Sequence, residues 1–362
     1  MAEAQAVAIP GAADLTPEWW TKTLRQAGYD ATVRSVCPTK IGTGQMGENI
    51  RFFFEYSGER GQAPETVVGK FPSSNSQSIE AAKIFGAYLR EISFYRELSA
   101  SCCMAIPALI YADFDAASER FILIMGDLAP AEQGDQTKGV TLEQARLALM
   151  EAAKLHASHW QDPRIETLPW LYGAPGSYKV TKDTMVQLWS GFRQRFGDKL
   201  DDYSITIGEV LIEKFERLMY DHASPICLLH NDFRPDNMAF AGAQGGRPIT
   251  IFDWQTVGAG PAMKDVAYFM GGALPPEIRA KEEGGLVRLY HETLSGLGIS
   301  DYPFEQAWQD YRRYAGLSFL MAVSMAMMVE RTERGDVMFL KTLKSSAEFM
   351  RAVDTLSVLR SL

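Results

Sequence analysis

The segment Leu228-Leu229-His230-Asn231-Asp232-Phe233-Arg234-Pro235-Asp236-Asn237-Met238 sets an aspartate two residues after a histidine and an asparagine five residues beyond that aspartate. Residues of these types at this spacing suit the transfer of a phosphoryl group to a hydroxyl. Asp232 can reach the acceptor hydroxyl as the catalytic carboxylate, while Asn237, across the loop, can reach a magnesium ion that bridges nucleotide phosphates. Downstream, the apolar run Ile251-Phe252 ends in Asp253, followed by Trp254-Gln255. An exposed aspartate at the end of an apolar strand is where the second magnesium ligand belongs.

Earlier in the chain, Gly42-Thr43-Gly44-Gln45-Met46-Gly47 fits the pattern Gly-x-Gly-x-x-Gly. That pattern also fits a dinucleotide-binding loop, but such a loop opens a helix, whereas residues 49–56 read as a strand. Gly42, Gly44 and Gly47 are therefore expected in a hairpin that folds over nucleotide phosphates. Val67-Val68-Gly69-Lys70-Phe71 puts a lysine at the end of an apolar strand. On its own such a lysine faces solvent; beside the later loop it is a phosphate ligand, held by a helix carboxylate. Glu91 is the expected partner, with Glu80 as its competitor on the same stretch.

These residues need elements to position them. Thr16-Pro17-Glu18 is a helix start, with Thr16 as cap and Leu15 and Trp20 as a hydrophobic staple, and the helix should end near Gly28. Strands are expected at 31–37, 49–56, 66–71, 108–114 and 120–125, and one helix at 78–98. Residues 126–139 are polar and glycine-containing. Beyond them, helices are expected at 141–160, 183–196, 207–222, 284–297, 304–329 and 334–359, with 226–230 and 249–253 as a strand pair flanking the loop. The layout is α+β, with a small β-rich N-terminal lobe (1–125, nucleotide-binding), a connector (126–139) and a larger helical lobe (140–362) that carries the catalytic loop and acceptor site.

Composition agrees. The 362 residues are 46% hydrophobic and 22% charged, which excludes a disordered or fibrous chain, and a net charge of −9 disfavours nucleic acid or an anionic membrane as partner. Four cysteines, two of them adjacent, suit reduced thiols rather than a disulfide framework. The N-terminus lacks a basic region followed by an apolar run, and 315–329 is too short to span a bilayer. A cytoplasmic location is expected.

The chain resembles the aminoglycoside phosphotransferase and choline-kinase-like superfamily, most closely its ecdysteroid-kinase-like branch. The resemblance rests on His230 to Asp232 with Asn237, Phe252-Asp253-Trp254-Gln255, Gly260-Pro261, Lys264-Asp265-Val266-Ala267-Tyr268-Phe269, and Lys154-Leu155-His156-Ala157. It implies a bilobal protein-kinase-like fold, ATP and Mg2+ as cofactors, and a hydroxylated small molecule as acceptor. It also places Leu123-Ile124-Met125-Gly126-Asp127-Leu128 at the hinge, with Met125 and Asp127 beside the nucleotide, and gives Asp265 the task of anchoring backbone near the catalytic loop. Three positions depart from the pattern: Asn231 stands where antibiotic kinases carry glycine, Trp254-Gln255 replaces the Phe-Gly of protein kinases, and Gly126 interrupts the hinge motif. A protein substrate is not expected, because no Ala-Pro-Glu pattern follows Asp253.

A nucleotide-binding pseudokinase with a scaffolding role is the alternative, and the intact set Lys70, Asp232, Asn237 and Asp253 argues against it. His156 and His159 read as packed or capping residues, Asp236 as a loop stabiliser or a solvent-facing residue, and Met321, Met325 and Met328 as core. The helix that carries these methionines and the segment from Trp189 to Arg193 are where acceptor contacts are sought. Aminoglycosides, choline-like amines, sugars and hydrophobic alcohols all stay open as acceptors.

Overall fold

The computed structural model describes residues 9–42, 46–172, 180–220 and 224–362. The described residues form ten strands: β1 Val33–Ile41, β2 Gly47–Tyr56, β3 Thr66–Pro72, β4 Leu109–Asp115, β5 Arg120–Gly126, β6 Glu132–Gln133, β7 Ile226–Leu229, β8 Met238–Gly242, β9 Gly245–Ile251 and β10 Gly258–Pro261. The first nine helices are α1 Pro17–Gln26, α2 Ser76–Phe85, α3 Ala87–Ser93, α4 Leu142–Ser158, α5 Pro163–Glu166, α6 Pro169–Tyr172, α7 Lys182–Phe196, α8 Asp202–Glu213 and α9 Phe215–Met219. Six more follow among the described residues: α10 Met263–Ala273, α11 Pro276–Gly296, α12 Phe304–Tyr314, α13 Leu317–Met328, α14 Glu333–Ala352 and α15 Thr355–Arg360.

The N-terminal part is an antiparallel sheet in the order β1-β2-β3-β5-β4. Its register sets Asn49, Lys70 and Leu123 side by side across β2, β3 and β5. Helix α1 starts as expected, with the Thr16 side chain accepting from the Trp19 amide at 3.3 Å and Pro17 in the first turn. Leu15 and Trp20 are buried with Phe52, Val67 and Phe71 in a core under this sheet.

The single helix expected at 78–98 is three pieces. Gly86 takes a left-handed φ of +63, ending α2, and α3 starts anew before a wider-wound turn over Phe94–Leu98. Glycine reaches this conformation without a Cβ penalty, so an unbroken apolar stripe does not guarantee an unbroken helix. The expected pairing of 226–230 with 249–253 is also corrected. β7 pairs with β10, while β9 pairs with β8, which in turn pairs with β6 from the connector.

The C-terminal part is helical, and a second, larger core runs through it. The run expected at 207–222 starts earlier, at the Asp201 cap, and breaks at Lys214; its final residue, His222, lies outside the described residues. The stretch 304–329 divides at Ala315 and Gly316, and 334–359 divides at Asp354, which has φ +52. Met321, Met325 and Met328 are exposed rather than core. α13 buries Phe319, Leu320, Ala322, Val323 and Ala326 instead, because a helix that is apolar all round carries no sequence signal of which face turns inward. Among the described residues no helix is long and apolar enough to cross a membrane.

Candidate active site

Lys70 lies on β3 between two hydrogen-bonded neighbours, and its side chain is only 9% exposed. Its Nζ is 2.7 Å from Glu91 Oε2, 2.9 Å from Glu91 Oε1 and 3.0 Å from Asp253 Oδ1. The break at Gly86 gives α3 its own direction, and α3 carries Glu91 to this lysine; Glu80, on α2, is exposed. Burial opposes the ammonium charge, but the Asp253 and Glu91 carboxylates outweigh it and hold Lys70 above its ordinary pKa. Burial pushes Glu91 up against the pull of Lys70, while for Asp253 the lysine overcomes burial and keeps the carboxyl below its ordinary value.

The same helix and the turn that follows it grip the segment after Asp253. The Trp254 amide donates to Glu91 Oε1 at 3.3 Å, Arg90 Nη1 donates to Val257 O at 2.9 Å, and the Phe94 and Trp254 rings stack at 3.7 Å. Asp253 takes φ +66 just past the end of β9, which turns the chain out of the strand. Its side chain is 37% exposed, with Oδ1 on Lys70.

The catalytic-type loop hangs from α10. Asp265 Oδ2 accepts from the His230 amide at 2.7 Å and Oδ1 from the Asn231 amide at 2.9 Å, so this carboxylate fixes the chain where it leaves β7. His230 Nε2 donates to Phe252 O at 3.0 Å, and its Nδ1 accepts from the Asp232 amide at 3.3 Å, which ties the loop to the strand before Asp253. Asn231 adopts φ +62, the conformation that favours glycine, and its Nδ2 donates to Thr256 O at 3.1 Å. Asparagine is among the side chains that tolerate this region, which accounts for the departure at this position. Asn231→Gly is expected to leave the melting temperature nearly unchanged. Asn231→Val should destabilise by about 1–2 kcal/mol, and equal melting of the two variants would count against a conformational role.

Asn237 closes the loop through a short turn over Pro235–Asn237. Its Nδ2 donates to Asp232 O at 2.9 Å and to Asp232 Oδ2 at 2.8 Å, which leaves Oδ1 as the free acceptor of the amide. Two further groups reach Asp232 that sequence reasoning did not single out. Arg234 Nε lies 3.1 Å from its carboxylate, and Tyr268 on α10 donates to Oδ1 at 3.3 Å. Only the alternation Asp-x-Arg-x-Asp hinted at the first. Asp236 pairs with Arg234 Nη1 at 2.8 Å and accepts from the Gln136 amide at 2.8 Å, as suits a loop stabiliser.

The remaining expected positions surround this cluster, Gly47 so closely that an added Cβ would lie 3.4 Å from Lys70 Cε. Gly42 has φ +68, and Gly47 sits so close to β3 that an added Cβ would lie 3.1 Å from Phe71 O; Gly44 is outside the described residues. Met125 is buried and pairs with Val68. Asp127 turns to Arg51 on β2, at 2.6 Å, and accepts from the Ala129 amide at 3.0 Å. His156 hydrogen-bonds Tyr290 at 2.7 Å and Asp265 at 3.4 Å, and His159 bonds Ser101 at 3.0 Å, so both are packed residues.

Among the described residues no three His, Cys, Asp or Glu side chains converge into a self-contained metal site. Asn237 Oδ1 and Asp253 Oδ2 are instead two oxygens with no hydrogen-bond partner among the described residues, one from each side of the loop-strand junction. Two protein oxygens fit magnesium, which takes its remaining ligands from phosphates and water.

Next to the anchoring aspartate, Lys264 is buried, and its Nζ donates to Met219 O at 3.1 Å. Burial, helped by the Arg313 charge, pushes its pKa down to about 8 from an ordinary 10.5. A depressed folded value means that this charge costs stability at neutral pH and that the cost is relieved as pH rises from 8 to 10.5. Lys264→Met is therefore expected to melt higher than the wild type at pH 7. The gap should close across that window in thermal scans at stepped pH, and a pH-independent gap would refute the assignment.

The fold has known counterparts. The structure of a microcompartment-associated aminopropanol kinase aligns over 91% of this chain and 95% of its own, with a TM-score of 0.53 and 13% identity. A provisionally assigned aminoglycoside phosphotransferase from Ralstonia eutropha JMP134 covers 91% of this chain and 98% of its own, with a TM-score of 0.51 and 14% identity. The GDP complex of wild-type aminoglycoside 2'-phosphotransferase-IIIa covers 92% and 98%, with a TM-score of 0.50 and 14% identity. At these identities the likeness shows the fold, a β-sheet N-terminal part joined to a helical C-terminal part. No curated protein matches the chain. Residues 48–314 match the model of the phosphotransferase enzyme family, and the chain belongs to that family.

Proposed function

We propose that the protein is an ATP- and magnesium-dependent kinase that phosphorylates a hydroxyl group of a small molecule. The observation that carries this reading is the junction in which Lys70 bridges Glu91 and Asp253 while Asn237 is hydrogen-bonded to Asp232. Residues far apart in the chain meet there in the arrangement that phosphoryl transfer uses. On this reading 1–125 is the nucleotide-binding lobe, 126–139 the connector and 140–362 the lobe that holds the acceptor. The free thiols of all four cysteines suit a reducing compartment, and we place the reaction in the cytoplasm.

Lys70 positions the phosphates nearer the nucleoside, under Gly42 and Gly47, with Met125 and Asp127 at the hinge. Asn237 Oδ1 and Asp253 would hold magnesium, which neutralises phosphate charge when bound. Asp232 has room for about four hydrogen bonds on its carboxylate, and Asn237, Arg234 and Tyr268 occupy three directions, leaving one for the acceptor hydroxyl. Asp232 orients that hydroxyl and takes its proton as the new O–P bond forms, while the bond to the departing ADP oxygen breaks and its electron pair leaves with ADP. The site supplies alignment and charge stabilisation rather than covalent chemistry. The complete residue set disfavours a pseudokinase.

The structural counterparts act on, or are named for, an aminoalcohol and aminoglycosides, so the acceptor panel begins with these and extends to choline-like amines, sugars and sterols. The test is ADP release from magnesium ATP across that panel. Acceptor-dependent release establishes the kinase and names its substrate class. ATP binding with no release from any acceptor favours the pseudokinase.

A further inference from the structure

The connector brings a further polar side chain, Gln136, to the neighbourhood of Asp232. It is pinned to the catalytic-type loop at three points. The Gly134 amide donates to Met238 O at 2.8 Å, Gln133 Nε2 to Asp236 O at 2.6 Å and the Gln136 amide to Asp236 Oδ1 at 2.8 Å. Just beyond, the Val140 amide donates to Ala273 O at 2.9 Å, at the end of α10. Between these pins the Gln136 side chain lies against Gly272, where an added Cβ would collide with its amide nitrogen. Its Oε1 is buried and has no hydrogen-bond partner among the described residues. A closed frame surrounds this amide. Arg234 Nε donates to Asp232 and Nη1 to Asp236, Asp236 holds the Gln136 backbone, and Tyr268, one turn before Gly272 on α10, donates back to Asp232.

A side-chain amide oxygen buried without a partner costs stability, and the terminal torsion of glutamine is broad enough to turn toward a group that arrives. One turn of α10 separates Gly272 from Tyr268, so the Gln136 amide is displaced about 5.4 Å along the helix from the residue that holds Asp232. Oxygens on opposite sides of a six-membered ring span a similar distance. Both carboxylates of the frame are already paired with the Arg234 guanidinium, so neither is spare for an ammonium group. We infer that Gln136 hydrogen-bonds a second, uncharged hydroxyl of the acceptor, across a ring from the one that Asp232 orients, and so selects a neutral ring polyol. This rests on the kinase reading and names the acceptor class of the same site.

The test follows ADP release from magnesium ATP with cyclohexanol, trans-cyclohexane-1,4-diol and trans-4-aminocyclohexanol, for wild type, Gln136→Leu and Gln136→Glu, beside the Kd for magnesium ADP. Wild type should favour the diol over cyclohexanol about tenfold in kcat/KM, the effect of one neutral hydrogen bond, and the amino alcohol should gain nothing. Gln136→Leu should erase that preference, chiefly through KM, with ADP affinity unchanged, which also reports an intact fold. Gln136→Glu should move the preference about tenfold toward the amino alcohol, and this variant, which keeps the shape of the side chain, decides if Gln136→Leu fails to fold. A diol preference that persists in both variants overturns the inference, as does an equal loss for all three acceptors or a wild type that prefers the amino alcohol. A wild type that binds magnesium ADP but turns over none of the three overturns the inference and leaves the kinase reading standing. Failure to bind magnesium ADP overturns the kinase reading itself, and this inference with it.

Discussion

Asp232→Asn is expected to lower kcat by about 10³-fold, within the range for loss of a general base, while the KM for nucleotide stays nearly constant. The substitution keeps the size of the side chain and an acceptor oxygen for Arg234 and Tyr268, and the loop stays tethered by Asp265 through two backbone amides. What it removes is a carboxylate that can accept the hydroxyl proton. Steady-state kinetics with the best acceptor of the panel decide the matter, and full activity in this variant would remove Asp232 from the mechanism.

Asp253→Asn is expected to have an effect of similar size, with a different signature. Asparagine tolerates φ +66 and alanine does so less well, so the amide separates chemistry from strain. The variant keeps one neutral oxygen but loses the anion that faces both Lys70 and the proposed magnesium. Lys70 then pairs with Glu91 alone and stays neutralised, so the fold should hold. Turnover should fall by about 10³-fold, the scale of a lost transition-state charge contact, and the magnesium concentration for half-maximal rate should rise. An unchanged magnesium titration beside a lowered kcat would remove Asp253 from the metal site.

How much of this was legible in the sequence depends on how local each feature is. His230, Asp232 and Asn237 lie within one loop, and a hydrogen bond between residues five apart can be read from spacing. The cap at Thr16 and the glycine after α1 are local for the same reason. What separates Glu91 from Glu80 is the left-handed turn at Gly86, which looks in sequence like any glycine tolerated inside a helix. Strand partners depend on tertiary context: 226–229 and 249–251 are both short buried runs, and nothing local says that each pairs elsewhere. The outward face of α13 was invisible because all its faces are apolar. Arg234 was hidden in plain view, since a charged residue in a polar loop carries no signal until its partners are known.

The span of the Lys70 contacts sets an order of events during synthesis. Glu91 follows Lys70 by 21 residues, whereas Asp253 follows it by 183. At ribosomal speeds of about 5–20 residues per second, the nascent chain waits roughly ten to forty seconds between emergence of the lysine and of its distant aspartate. Glu91 arrives within the first few of those seconds, so the sheet can close over an ammonium that already has its counterion. The site's charge balance is thus drawn up in two instalments, a local one that lets the N-terminal sheet form early and a remote one that arrives only when the rest of the protein can use it.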